Sequence, residues 1–96
     1  KKYPVPLIVA TIYSFFNKLF IYHSIENKKE ASKILGINPY FIDEYHQASS
    51  FYPMKRISKI FEFLLEADKR SKGIDFDNND QEGIINDLIF KIFKSN

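Results

Sequence analysis

The chain has no cysteine and no tryptophan in its 96 residues, a single methionine, three glycines and four prolines. Without thiols there can be no disulfides and no thiolate metal sites, which fits a reducing compartment such as the cytoplasm. Three scattered glycines cannot build a glycine-rich phosphate loop, so this segment is not itself the nucleotide-binding part of an ATPase. A dominant sign of charge is also missing: 14 Lys and Arg against 12 Asp and Glu leave a net charge of +2. Electrostatic binding of nucleic acid calls for a far more basic domain, or for basic residues gathered on one side. No repeat, low-complexity tract or interdomain linker is visible. The chain begins at Lys1 rather than Met, and residues 1–96 are expected to form one domain cut from a longer protein.

What it has in quantity is apolar and aromatic surface: 45% hydrophobic residues, with ten Phe and six Tyr. That is enough to bury a modest core, and aromatic rings bury large areas each. The apolar run from Val5 to Ile25 has about the length of a membrane span. Asn17, Lys18 and His23 interrupt it, and the apolar stripes of the remaining chain need a partner, so it reads as a buried core helix. No small-residue cleavage site follows the run, which argues against a signal peptide.

Periodicity and caps predict five helices in an all-α, compact bundle with short connections, and no strand. The first covers about Val5 to Ile25, entered through Pro4 and Pro6. Ile8, Ile12, Phe15, Leu19 and Tyr22 make one stripe, and Val9, Tyr13, Phe16 and Phe20 a second beside it, so the helix should meet more than one neighbour. Asn27 and Glu30 form a capping box opening a short second helix with Ala31, Ile34 and Leu35, stopped by Gly36 in a left-handed C-cap. Asn38-Pro39 starts a third helix running to about Ser50 through Phe41, Ile42, Tyr45 and Ala48. Pro53 starts the fourth, striped by Met54, Ile57, Ile60, Phe61, Leu64, Leu65 and Asp68 and ended by Gly73. Asn79 and Glu82 make a second capping box, for a last helix carrying Ile85, Leu88, Ile89, Ile92 and Phe93.

Catalytic chemistry is hard to find. His23 and His46 sit on different helices with no acid motif beside either, and read as surface or half-buried residues. Glu62, Glu66 and Asp68 lack the Glu-x-x-His partner of a di-metal bundle. Asp75-Phe76-Asp77-Asn78-Asn79 matches the first ligand positions of an EF-hand loop, but Asp80 stands where glycine is needed and Asn86 where the bidentate Glu belongs. No catalytic residue, metal site or cofactor is expected. The basic residues fall into three groups: Lys28, Lys29 and Lys33; Lys55, Arg56 and Lys59; and Lys69, Arg70 and Lys72, the last suited to a helix C-terminus. A solvated face is the simplest reading of each.

One combination is more specific. Ile34-Leu35-Gly36-Ile37-Asn38-Pro39-Tyr40-Phe41, followed by Leu64-Leu65-Glu66-Ala67-Asp68 and Lys72-Gly73, resembles the C-terminal helical domain of the delta subunit of the bacterial DNA polymerase III clamp loader. There an "lLGvhPf" segment precedes two helices, the longer ending in an "eaDl..K" signature before a loop and a last helix. The resemblance spans about residues 5 to 93. Lys69 and Arg70 depart from the apolar or neutral residues the family often keeps after the acid.

The resemblance implies a non-catalytic collar domain that packs beside its counterparts in the other clamp-loader subunits during DNA replication. Two AAA+-type domains would precede it, contacting the sliding clamp from a region outside this sequence. It also implies a cytoplasmic protein with an exposed apolar patch on the first or last helix, for which Tyr13, Phe20, Ile89 and Phe93 are the candidates. Primer–template DNA would be a further partner, with Phe76, Lys55, Arg56 and Lys59 the residues placed to approach it. Phe76 has two open roles: stacking on an unpaired base, or folding back as a hydrophobic anchor. A reading without the resemblance is a free-standing small helical nucleic-acid-binding domain, which needs the lysines of the second and fourth helices on one face.

Overall fold

Proline and polar caps divide the chain into helices much as the pattern predicts. The computed structural model describes residues 4–73 and 78–95, with the side chains of 78 and 79 left aside. Five α-helices follow one another: α1 Val5–Ser24, α2 Ala31–Leu35, α3 Ile42–Phe51, α4 Met54–Lys72 and α5 Asn78–Lys94. Single 3-10 turns, Lys28–Glu30 and Pro39–Phe41, lead into α2 and α3. Among the described residues there is no strand. Phe76 and the acidic part of the EF-hand-like segment, residues 75–77, lie outside the described residues, as do the side chains of the expected Asn79 cap.

The chain stops α1 without glycine. Ile25 turns into extended backbone and its N–H returns to the Tyr22 carbonyl at 3.2 Å. Lys28 then reaches back, its Nζ donating to the carbonyls of Tyr22 and Ile25 (2.7 Å for the latter). A cation there suits the negative end of the helix dipole. Asn27 is the N-cap as expected, its side chain accepting from the Lys29 N–H, but Glu30 meets only the Asn27 side-chain amide at 3.4 Å, so the reciprocal backbone bonds of the expected capping box are replaced by a tighter cap on a 3-10 turn. Gly36 has φ +68° and passes the Ile37 N–H back to the Ser32 carbonyl at 3.0 Å, a Schellman stop. Gly73 ends α4 with φ −95°, which any residue can adopt, so glycine is not conformationally required there.

Helix α1 packs against all four others. Its N-terminal half runs antiparallel to α4: Val9, Ala10 and Tyr13 lie beside Phe61, Leu64 and Leu65. The main core joins α1 (Val5, Val9, Phe16, Leu19), α4 (Ile57, Ile60, Leu64, Ala67) and α5 (Ile84, Ile85, Leu88, Ile92). A second, smaller core gathers Tyr22, Ile25, Ala31 and Leu35 under Ile37 and Ile42. Tyr45 of α3 touches both, and its ring lies 5.2 Å from that of Phe15. α1 is the one described helix with the length and apolarity to cross a membrane, and here it is the wall both cores share.

The apolar stripes are narrower than the sequence suggests. Ala67 of α4 is buried, whereas Met54 and Leu65, expected inside, are exposed. Ile34 and Phe41 likewise point outward. The reason is thickness: the Cα trace measures 46 × 26 × 17 Å, room for only two helix layers across its short axis. Each helix is then covered on one side, and apolar residues beyond that arc stay in water. The radius of gyration of 15.0 Å exceeds the ~12.5 Å of a compact chain of this length.

Two polar devices fasten α5 to α4. Arg56, at the start of α4, donates to the Phe51 carbonyl (2.9 Å), the Ile92 carbonyl (3.1 Å) and Ser95 Oγ (3.0 Å), with its guanidinium 4.5 Å from the Tyr52 ring. One side chain thereby closes the C-terminal ends of both α3 and α5. Further along, Asp87 bonds Arg70 (3.0 Å) and Lys91 (3.2 Å), and Lys91 also bonds Glu66 (2.8 Å). Lys91 and Arg70 hold the Asp87 carboxyl below its ordinary value of 3.8, and Glu66 and Asp87 raise Lys91 above 10.5.

Replacing Arg56 with Ala should cost about 1.5–3 kcal/mol, a Tm loss on the order of 10 °C in thermal unfolding. Lys in its place should recover little, having no fork to span three acceptors. The Asp87 network lies near the surface, and solvent holds each pair to about 1 kcal/mol or less. Because the folded pKa of Asp87 is depressed, its contribution is intact above pH 4 and vanishes as pH falls through the folded value. Denaturant titrations of the parent and Asp87→Asn should differ at pH 7 and converge as the pH falls through the depressed folded value.

Candidate interaction surfaces

The titratable residues are used locally and do not converge. Tyr22, buried at 2% exposure, shares a 2.9 Å hydrogen bond between its hydroxyl and His46 Nδ1, and its ring lies under the Lys28 ammonium at 4.5 Å. Burial first, and the nearby Asp43 second, push its phenol above the ordinary 10.0. Tyr45 is raised in the same way by burial and Glu44. His23 Nε2 lies 2.8 Å from the Tyr52 carbonyl, which joins the end of α1 to the start of α4. Glu66 and Asp68 are bound to Lys91 and Lys72. Among the described residues no cluster of His, Asp or Glu could hold a metal, and no buried side-chain polar atom lacks a partner.

The basic groups separate once their contacts are known. Lys28 and Arg56 are bonded to carbonyl groups at helix ends. Arg70 and Lys72 are paired with acids. Lys55 and Lys59 are exposed on the first turns of α4 and, with Arg56, Phe51 and Pro53, line a surface pocket of about 310 Å³. The structural task of Arg56 could not be read from its sequence position, because its acceptors lie up to 39 residues away.

Apolar surface is the other resource. Of the four interface candidates, Ile89 and Phe93 are exposed on α5, Phe93 to 71%. Phe90, 60% exposed beside them, falls off the predicted stripe and was not anticipated. Its signal was available: it sits two positions from both Leu88 and Ile92, on the side of the helix opposite the core. Tyr13 is half exposed, with its ring 5.4 Å from Phe61. Phe20 is partly buried against the main core, 5.7 Å from the same ring, so it offers little to a partner. Between α1 and α4, Pro6, Ala10, Tyr13 and Leu65 border a groove of about 330 Å³.

No protein family, no characterised protein and no solved structure matches the chain at a significant level. Its contacts are therefore the ground for any functional reading.

Tyr22→Phe keeps the ring and removes one hydrogen bond, so it should cost about 1 kcal/mol in denaturant unfolding. In alkaline titration followed by tyrosinate absorbance, Tyr22 and Tyr45 should ionise later than the exposed tyrosines, and the late fraction should shrink in the variant. Since a raised phenol pKa means the unfolded chain ionises first, stability should fall as pH climbs above 10.

Proposed function

We propose that this chain is an assembly module, the collar-type C-terminal domain of a clamp-loader delta subunit, working in the cytoplasm during DNA replication. The observation that carries this reading is the apolar outer face of α5, where Ile89, Phe90 and Phe93 stand exposed on a bundle in which, among the described residues, every buried side-chain polar atom has a partner. Two neighbouring phenylalanines more than half in water make an apolar patch of the kind that interfaces cover. Covering each at an interface contributes about 1.5–3 kcal/mol before the costs of association. The cap and stop at Gly36 and Asn38, which carry the family resemblance, also serve as described: Gly36 is left-handed, and Asn38 Oδ1 accepts from the Tyr40 N–H at 2.8 Å.

In this role the domain carries no reaction of its own. It holds the assembly together through neighbouring subunits, while the domains expected before it would meet the sliding clamp. Primer–template DNA, through Phe76, which lies outside the described residues, is a secondary partner in the same proposal.

A Phe90→Asp, Phe93→Asp double variant should keep its helical circular dichroism, with stability within about 1 kcal/mol of the parent, since both side chains are largely exposed. Mixed with the other clamp-loader subunits of its source, it should fail to enter the complex on size exclusion. A folded variant that assembles normally would remove the proposal.

A further inference from the structure

The pocket at the start of α4 has a property that neither the collar reading nor the fold requires. Lys55, Arg56 and Lys59 crowd into little more than one helical turn, and among the described residues none of them pairs with a carboxylate. Arg56 does not relieve this. Its three nitrogens donate to two carbonyl groups and a hydroxyl, all neutral, so its charge is fixed in place and has no carboxylate partner among the described residues. The first turn of α4 adds to the same field: it has no acid and no side-chain cap on its N–H groups, and a helix N-terminus carries positive partial charge. Beside these charges, Phe51 is 69% exposed and forms the apolar wall of the pocket with Pro53.

A cationic rim around an apolar wall suits a ligand that is acidic and apolar at once. We propose that this pocket receives an acidic segment of a partner protein, with carboxylates on Lys55 and Lys59 and one apolar side chain against Phe51 and Pro53. At about 310 Å³ it has the volume of a small-ligand site, enough for one side chain and its flanking carboxylates. Nucleic acid fits the surroundings less well. A phosphate backbone calls for a track of cations, and here the three positive groups are confined to one spot, with Glu62 and Glu66 next along α4 and a net charge of only +2. The proposal rests on reading the chain as a protein-interaction module, and it names the chemistry of one partner.

The probe is a peptide, acetyl-Asp-Glu-Phe-Glu-Asp-amide, titrated into the ¹⁵N-labelled 96-residue chain and followed by amide chemical shifts. Saturable shifts should concentrate at residues 51–59. The Lys55→Glu, Lys59→Glu double variant, in which Arg56 and its bonds are kept, should weaken binding at least about ten-fold with an unchanged melting curve. A peptide with alanine in place of phenylalanine should bind at least about five-fold more weakly. Absence of saturable shifts overturns the proposal, and so does equal affinity for the alanine peptide, which would reduce the site to charge alone. Tighter binding of a ten-residue oligothymidylate at the same amides would assign the pocket to nucleic acid instead. A chain that ignores the peptide yet still assembles through Phe90 and Phe93 would lose this inference and retain the collar reading.

Discussion

Leu19 and Tyr22 stand less than one turn apart on α1 and belong to different cores. That division is the constraint on which the rest depends. A helix with apolar residues around much of its girth cannot be covered by one partner, so α4 and α5 take one arc and the short α2 and α3 take another. Aromatic rings make the join. Phe15 meets Tyr45, Phe16 meets Tyr52 at 5.0 Å, and Phe61 lies between Tyr13 and Phe20. Large rings contribute much burial per residue, which is how 96 residues sustain two cores in place of one.

The same geometry explains the surface. Two layers of helix cannot enclose everything, and the accessible area of 6721 Å² is larger than the ~5,700 Å² expected for a monomer of this mass. The excess includes large apolar groups along α5, beside α1 and at the α2–α3 edge, where Tyr40 is 81% exposed. Side-chain hydrogen bonds, by contrast, gather at helix ends, where Lys28, His23 and Arg56 secure carbonyl groups from neighbouring segments. A scaffold fastened at its ends and apolar along its sides is suited to standing beside other helices.

Helix order and boundaries were legible because they depend on local chemistry: Pro4 and Pro6, the Asn27 and Asn38 caps, Gly36. Which apolar residues end up inside was only partly legible. Helical spacing correctly placed Ile57, Ile60 and Leu64 in one stripe, but the number of neighbours decides how wide a buried stripe can be, so Met54, Leu65 and Ile34 came out exposed. Long-range polar contacts left no trace in the sequence. Arg56 looks like one of a basic trio until the fold brings Ile92 and Ser95 to it, and Tyr22 looks like an ordinary stripe residue until α3 presents His46. Surface candidates fared according to position: Phe93 and Ile89 lie outside the buried arc, whereas Phe20 turns inward because Phe61 is there to receive it.

The proposal that this bundle is one domain of a clamp-loader subunit is tested most directly by sequencing the reading frame upstream of Lys1 over about 230 residues, the length of two further domains. The account predicts two AAA+-type domains there, joined in frame to Lys1. An initiator methionine a few residues upstream, with no such domains, would contradict it.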